Sequence, residues 1–208
     1  MFKIAVFVSG RGSNLQAILD AKSGGDLKAE VAAVFTDRPD SGAAERARGY
    51  GIPVWFLCRE KKNQPVSNEV SYEDLAGLLE KLNLDLIVLA GFLKLIPEAV
   101  IDLFPNKIVN IHPALLPSFG GKGMYGMNVH RAVFNSSAKI SGPTVHFVDK
   151  IYDNGKIIAQ RGVDISDAAS PEEIAERVLK VEHEILPFVI RKFEEGKIKI
   201  INERVVVF

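Results

Sequence analysis

Short apolar runs alternate with amphipathic ones along the first half of the chain. Residues 3–8 (KIAVFV), 31–36 (VAAVFT), 54–58 (VWFLC), 84–90 (LDLIVLA) and 108–111 (IVNI) are rich in β-branched, aromatic and aliphatic side chains and read as strands. Between them lie helical patterns. Residues 13–21 put Leu15, Ile18 and Leu19 on one face, residues 43–49 form a short helix, and residues 72–82 carry the stripe Leu75, Leu78, Leu79 and Leu82. Pro97 opens another helix. The run 84–90 is apolar almost throughout, as in a strand covered on both faces.

Such alternation predicts right-handed βαβ units. The expected fold is α/β and Rossmann-like: a mostly parallel, twisted sheet with helices on both faces. Sheets of this kind bind ligands beyond the C-terminal ends of their strands. Residues 9–14, 91–93 and 110–117 are therefore expected along one edge of the sheet.

The pattern changes in the second half. SGPTVHFVD (141–149) and KIIAQRGVDI (156–165) read as strands joined through the turn-rich KIYDNG, a hairpin. Residues 170–196 read as one long helix, with Ser170 as N-cap, Pro171 in the first turn, Glu173 as the capping-box partner and Gly196 as the stop. KIKIINERVVVF closes the chain as a small hairpin. The glycine-rich segment 118–128 (SFGGKGMYGMN) reads as a mobile loop.

Composition narrows the function. The 208 residues carry 26 basic and 26 acidic side chains, so no global field favours nucleic acid or an anionic membrane. No apolar run is long enough to span a bilayer, and the N-terminus reads as a strand rather than a signal peptide. The lone cysteine, Cys58, excludes an intrachain disulfide and suits a reducing cytoplasm; it reads as an inert strand-end thiol.

Three segments carry candidate chemistry. SGRGSNLQ (9–16) leaves a strand and opens a helix, where small residues let a phosphate reach backbone amides. Leu15 stands at the third glycine position of a dinucleotide fingerprint, which argues against a pyrophosphate, although Asp37 near the end of the second strand keeps a nicotinamide cofactor in view. Ser13 and Gln16 also have capping-box spacing. AGFLKLIP (90–97) is a strand–loop–helix joint in which Gly91 permits an unusual turn. In NIHP (110–113), Asn110 and His112 share a strand face and end at Pro113, so an amide and an imidazole can both donate to one oxygen, as in an oxyanion site. A carboxylate nearby favours the charged imidazole. Asp149 and Asp153 are both available beside His146, and spacing does not choose between them. No HExxH, CxxC or GxSxG pattern is present.

Taken in order, SGRGSNLQ, VLAGFLKLIP, NIHPALLPSFGGKGMYG and SGPTVHFVDKIYDNGKIIAQ resemble the phosphoribosylglycinamide formyltransferases of the folate-dependent formyltransferase superfamily. The resemblance runs from residue 3 to about residue 196. It implies a single formyltransferase domain over 1–208, with a phosphate- and nucleotide-binding half (1–112) and a folate-side half (113–208). It implies transfer of the formyl group of 10-formyltetrahydrofolate to the amine of glycinamide ribonucleotide in purine (IMP) synthesis, without metal or NAD. By that resemblance the catalytic trio is Asn110, His112 and Asp153, supported by His146. The phosphate and substrate residues are Gly12, Ser13, Asn14 and Glu182. The folate cleft is lined by Phe92, Leu93, Lys94, Leu95, Ile96 and Asn110. Lys94 stands where many members have arginine, and Leu179 where some have a polar residue. The expected partners are small molecules, with no nucleic acid or membrane, in a cytoplasmic monomer or homodimer.

The rival expectations are a 10-formyltetrahydrofolate hydrolase, a formyltransferase for another amine, and a nucleotide-binding module without catalysis. The extra N-terminal domain of the hydrolases and the extra C-terminal domain of the tRNA enzymes find no counterpart in these residues.

Overall fold

A computed structural model describes residues 1–58 and 68–208. The chain divides into two compact units, Met1–Val109 and Asn110–Phe208.

The first unit holds strands β1 (Lys3–Phe7), β2 (Glu30–Thr36), β3 (Val54–Cys58), β4 (Glu69–Ser71) and β5 (Leu86–Leu89), with helices α1 (Ser13–Ser23), α2 (Gly42–Gly49), α3 (Leu75–Lys81) and α4 (Glu98–Leu103). The strands lie in the order β4-β3-β2-β1-β5, and every pairing among them is parallel. The chain steps outward from β1 on one side and returns to its other side with β5. A crevice opens at such a reversal, beyond the carboxyl ends of β1 and β5. The core is aliphatic and aromatic. Ile4, Val6, Val34, Leu86 and Ile87 are fully buried, and Phe7 stacks on Phe35 with centroids 4.6 Å apart.

Strand β6 (Ile108–His112) starts in the first unit, and its last three residues belong to the second. The second unit continues with α5 (Met127–Asn135), β7 (Ile140–Ser141), β8 (Thr144–Phe147), β9 (Ile157–Gln160), β10 (Val163–Asp164), α6 (Pro171–Glu194), β11 (Ile198–Ile201) and β12 (Arg204–Val207). Pairs β8–β9, β7–β10 and β11–β12 are antiparallel. The α/β class, with a mostly parallel sheet and antiparallel strands toward the C-terminal half, is thus as the pattern predicts.

Several local expectations change. The helix predicted over 72–82 starts only at Leu75, after an unpredicted short strand. Ser71 is the cause: its hydroxyl donates to Asp74 Oδ2 at 2.9 Å and accepts the Asp74 N–H at 3.1 Å, closing a turn that the helix cannot occupy. The run 141–149 is two strands in two sheets, because Gly142 takes φ +142° and Pro143 has no N–H for a ladder. Helix α5 was not expected, and it takes the last two residues of the glycine-rich loop.

The long helix ends as read. Ser170 Oγ accepts the Glu173 N–H, while the Glu173 carboxylate caps Ala169, one residue before the usual capping-box position. At the other end Gly196 sits at φ +66°. The N–H of Gly196 bonds to the Phe193 carbonyl, and that of Lys197 to Lys192, a Schellman closure. The helix packs Ile174 and Val178 with Val129 and Val133 of α5, Ala114 and Ile165 into the second unit's core.

Candidate active site

In the first unit, two loops leave the carboxyl ends of β1 and β5. The buried Ser9 ties them together: its N–H donates to the Gly91 carbonyl at 3.1 Å, and its hydroxyl accepts the Leu93 N–H at 3.0 Å. Beyond Ser9 the chain enters α1 through Gly12, which is the N-cap at φ +76° and carries no side-chain cap. The capping box expected of Ser13 and Gln16 therefore does not form. Gln16 points elsewhere, donating to Asp20 and Tyr50. A helix N-terminus without a side-chain cap suits an anion.

The predicted folate segment splits by burial. Phe92 and Ile96 are core residues, Phe92 meeting the Phe7 ring edge-on at 5.4 Å. Leu93, Lys94 and Leu95 are exposed, and two exposed leucines beside a glycine at φ +77° offer an apolar surface.

In the second unit, β6 ends by presenting Asn110 and His112, and the β8–β9 connection presents Asp153, a residue held at φ +53°. The Asp153 carboxylate stands between two imidazoles. Oδ2 is 3.6 Å from His112 Nδ1, and Oδ1 is 3.7 Å from His146 Nε2. The Gly121 N–H donates to Asp153 Oδ2 at 2.8 Å. Asp153 is the carboxylate in contact with both imidazoles, whereas Asp149 closes the turn, accepting from Ile151 N–H and Asn154 Nδ2.

The ring tautomers follow from the partners. His112 Nε2 lies 2.9 Å from the Phe119 carbonyl, which can only accept, so Nε2 carries a proton. His146 Nδ1 lies 2.7 Å from the Phe147 carbonyl, so it too carries one. His146 Nε2 is then an acceptor, and Asn110 Nδ2 donates to it at 3.1 Å. The segment expected to be a loose loop is thus tied to the cluster through Phe119 and Gly121. Glu182 is buried on α6 in the same unit.

Burial decides the charge of these rings. It holds His112 below its ordinary pKa, although the Asp153 carboxylate and the Phe119 carbonyl both pull upward. It lowers His146 as well, against the Phe147 carbonyl and Asp153. Asp153 does act on His112 in the expected direction, but the net shift is downward.

His130 was not singled out in the sequence. It is buried on α5 with Nδ1 lacking a hydrogen-bond partner, and burial, then the nearby His112, lower its pKa from 6.5 to about 4. Its only sequence signal is its place beside Val129 on an amphipathic helix. Because the unfolded ring binds a proton near pH 6.5 and the folded ring near 4, acid favours unfolding. Stability is expected to be full above pH 6.5 and to fall as pH drops toward 4. His130→Leu should flatten that slope in denaturant titrations; an unchanged slope would mean that the ring is not held neutral.

Among the described residues, no three His, Cys, Asp or Glu side chains cluster as a metal ion would need, and no helix is long and apolar enough to cross a membrane.

Comparisons with known proteins show the family of the chain. The family model described as formyl transferase matches residues 2–190. The chain is 46% identical over 197 residues to the chloroplastic phosphoribosylglycinamide formyltransferase of Arabidopsis thaliana, covering 95% of this chain and 67% of the plant protein. It is 37% identical to the phosphoribosylglycinamide formyltransferase of Haemophilus influenzae, over 96% of this chain and 91% of that one. The solved glycinamide ribonucleotide transformylase 1 of Symbiobacterium toebii superposes with a TM-score of 0.88 at 36% identity, covering 100% of this chain and 94% of that one. An amide, two imidazoles and a carboxylate on this fold thus stand in a chain that belongs to the formyl transferase family, among the phosphoribosylglycinamide formyltransferases.

Proposed function

We propose that this chain transfers the formyl group of 10-formyltetrahydrofolate to the amine of N1-(5-phospho-D-ribosyl)glycinamide, a step of purine (IMP) synthesis, as a single formyltransferase domain. The observation that carries the reading is the Asp153 carboxylate set between His112 and His146, with Asn110 bonded to the second imidazole.

The neutral amine attacks the formyl carbon, and the carbonyl oxygen becomes an oxyanion. Asn110 uses one amide hydrogen on His146 and turns the other toward that oxygen. His112 has its Nε2 proton committed to Phe119, so Nδ1 is the atom that serves. Nδ1 donates only when the ring is protonated. Burial opposes that charge in the resting site, and Asp153 favours it. A second anion growing beside Nδ1 favours it further, so the imidazolium matches the transition state better than the ground state. The proton that charges His112 comes from solvent before attack and stays on the ring. Attack leaves a surplus proton on the amine, which the Asp153 carboxylate takes and delivers to N10 as the intermediate collapses. Cleavage of the bond from the formyl carbon to N10 requires a proton on N10. In balance, one proton moves from the amine to N10 as the formyl group moves the other way.

Gly12, Ser13 and Asn14 are read as the phosphate loop and Glu182 as the ribose contact. The exposed Leu93, Lys94 and Leu95 are read as lining the folate cleft by side chain, and the buried Phe92 and Ile96 by backbone. The substrates are small molecules, and neither metal nor nicotinamide enters this reading. The cytoplasm remains the expected compartment, supported by a cysteine count of one, which excludes an intrachain disulfide; the plant relatives are named as chloroplastic.

The test is to incubate the protein with 10-formyltetrahydrofolate, with and without glycinamide ribonucleotide, following absorbance and product mass. Consumption only with the amine, yielding a formylated ribonucleotide, is expected. Loss of formyl without the amine would make it a hydrolase, and no loss would leave a binding module.

A further inference from the structure

The entry to α1 is gripped from outside by α2. Two glycines let the backbones meet: a Cβ on Gly12 would lie 2.8 Å from the Cα of Ala43, and one on Gly42 would lie 3.0 Å from the Arg11 carbonyl oxygen. The Ala43 N–H donates to the Gly10 carbonyl at 3.3 Å. One turn along α2, Arg46 extends the grip. Its Nε donates to the Arg11 carbonyl at 3.1 Å, and a terminal nitrogen donates to Gln16 Oε1 at 2.8 Å. Gln16 Nε2 passes the connection on to Asp20 at 2.8 Å and to the Tyr50 hydroxyl at 3.1 Å.

A trans peptide carries its C=O and N–H on opposite sides. Holding the Arg11 carbonyl on Arg46 therefore turns the Gly12 N–H away from α2. A cationic donor on that carbonyl also polarises the peptide, which makes its N–H a stronger donor. The second bond anchors the first turn of α1 to the same guanidinium. One side chain thus fixes both the peptide that enters the helix and the helix itself.

We propose that Arg46 is a positioning residue for the phosphate subsite: without touching the ligand, it sets the orientation and donor strength of the Gly12 amide. The inference rests on reading Gly12, Ser13 and Asn14 as the phosphate loop. Arg46 is exposed, and exposed polar bonds add little to global stability, so its effect falls on ligand recognition. The planar, two-sided donor set is one that lysine reproduces only in part.

The experiment is steady-state kinetics on wild type, Arg46→Ala and Arg46→Lys, with two acceptors: glycinamide ribonucleotide and its dephosphorylated riboside. Wild type should strongly prefer the ribonucleotide. Arg46→Ala should raise KM for the ribonucleotide about three- to tenfold, a fraction of the worth of a charge-assisted hydrogen bond, since the bond lost acts on the ligand only through the Gly12 peptide. Its kcat, its KM for 10-formyltetrahydrofolate and its kcat/KM for the riboside should stay near wild type, and Arg46→Lys should recover part of the loss. Equal weakening toward both acceptors would reduce Arg46 to a structural contact and overturn the proposal. A wild-type preference that Arg46→Ala retains would overturn it while leaving the phosphate loop in place. No wild-type preference would remove the phosphate-loop reading itself. Should Arg46→Ala fold poorly, Arg46→Lys read against wild type on both acceptors carries the same decision.

Discussion

His112→Ala is expected to lower kcat by about 100- to 1,000-fold, the usual loss when one preorganised donor to an oxyanion is removed. The variant tests one atom. Nε2 is spent on the Phe119 carbonyl, so the catalytic loss reports on Nδ1. The ring is almost fully buried, and its removal also strips the Phe119 carbonyl of its donor. That costs roughly 1–3 kcal/mol of stability, which a melting curve will show separately. KM values for both substrates should change little, because the interaction strengthens only as the oxygen becomes negative. A rate within a few-fold of wild type in a folded variant would remove His112 from the mechanism.

Asp153→Asn is expected to cost as much or more, about 1,000-fold in kcat. The substitution keeps the shape, and its amide oxygen can still accept the Gly121 N–H. What disappears is the charge between two imidazoles and, in the proposed mechanism, the acceptor for the amine's proton. Both losses act on the same step. The variant also makes a spectroscopic prediction. Asp153 is the largest influence pulling the His112 pKa upward, so the ring should titrate still lower in Asp153→Asn, as followed by nitrogen-15 shifts of the imidazole. An unshifted ring would mean that the carboxylate and His112 are uncoupled. Full activity would move the proton-transfer role away from Asp153 and reopen the case for Asp149, whose oxygens now hold Ile151 and Asn154.

These two carboxylates mark the limit of what the residues alone reveal. Strand and helix positions in the first unit are legible because burial of one face imposes its period on the sequence. The residue types at the end of β6 are legible because an amide and an imidazole have no packing reason to close an apolar strand. The placement of Asp153, rather than Asp149, against both imidazoles is not local. It depends on a left-handed residue in a turn, on a hydrogen bond from Gly121 and on a 3.7 Å contact with His146, none of which leaves a periodic trace. The charge state of His112 was hidden for a related reason. A nearby carboxylate raises an imidazole's pKa, but the cost of burial, which no spacing encodes, is larger here. Ser13 and Gln16 show the same limit on a smaller scale. They have the spacing of a cap, yet α2 offers Gln16 a better partner in Arg46.

The hydrogen bonds from His112 to Phe119 and from Gly121 to Asp153 have a consequence for sequence drift in this family. Two acting groups are referenced to carbonyl and amide atoms only two residues apart on one stretch of backbone. Neither bond uses a side chain of that stretch, yet Gly120 is fixed as well: a Cβ there would lie 2.5 Å from Leu116 Cδ2 and 3.2 Å from the Asp153 Cβ. Nor is the length of the stretch free. A residue inserted between Phe119 and Gly121 would shift one reference atom against the other, and one inserted between His112 and Phe119 would carry both away from the imidazole. An insertion between Gly121 and the start of α5 would leave both in place. Length variation among related chains should therefore gather after Gly121, and the stretch before it should keep its count and keep glycine at position 120.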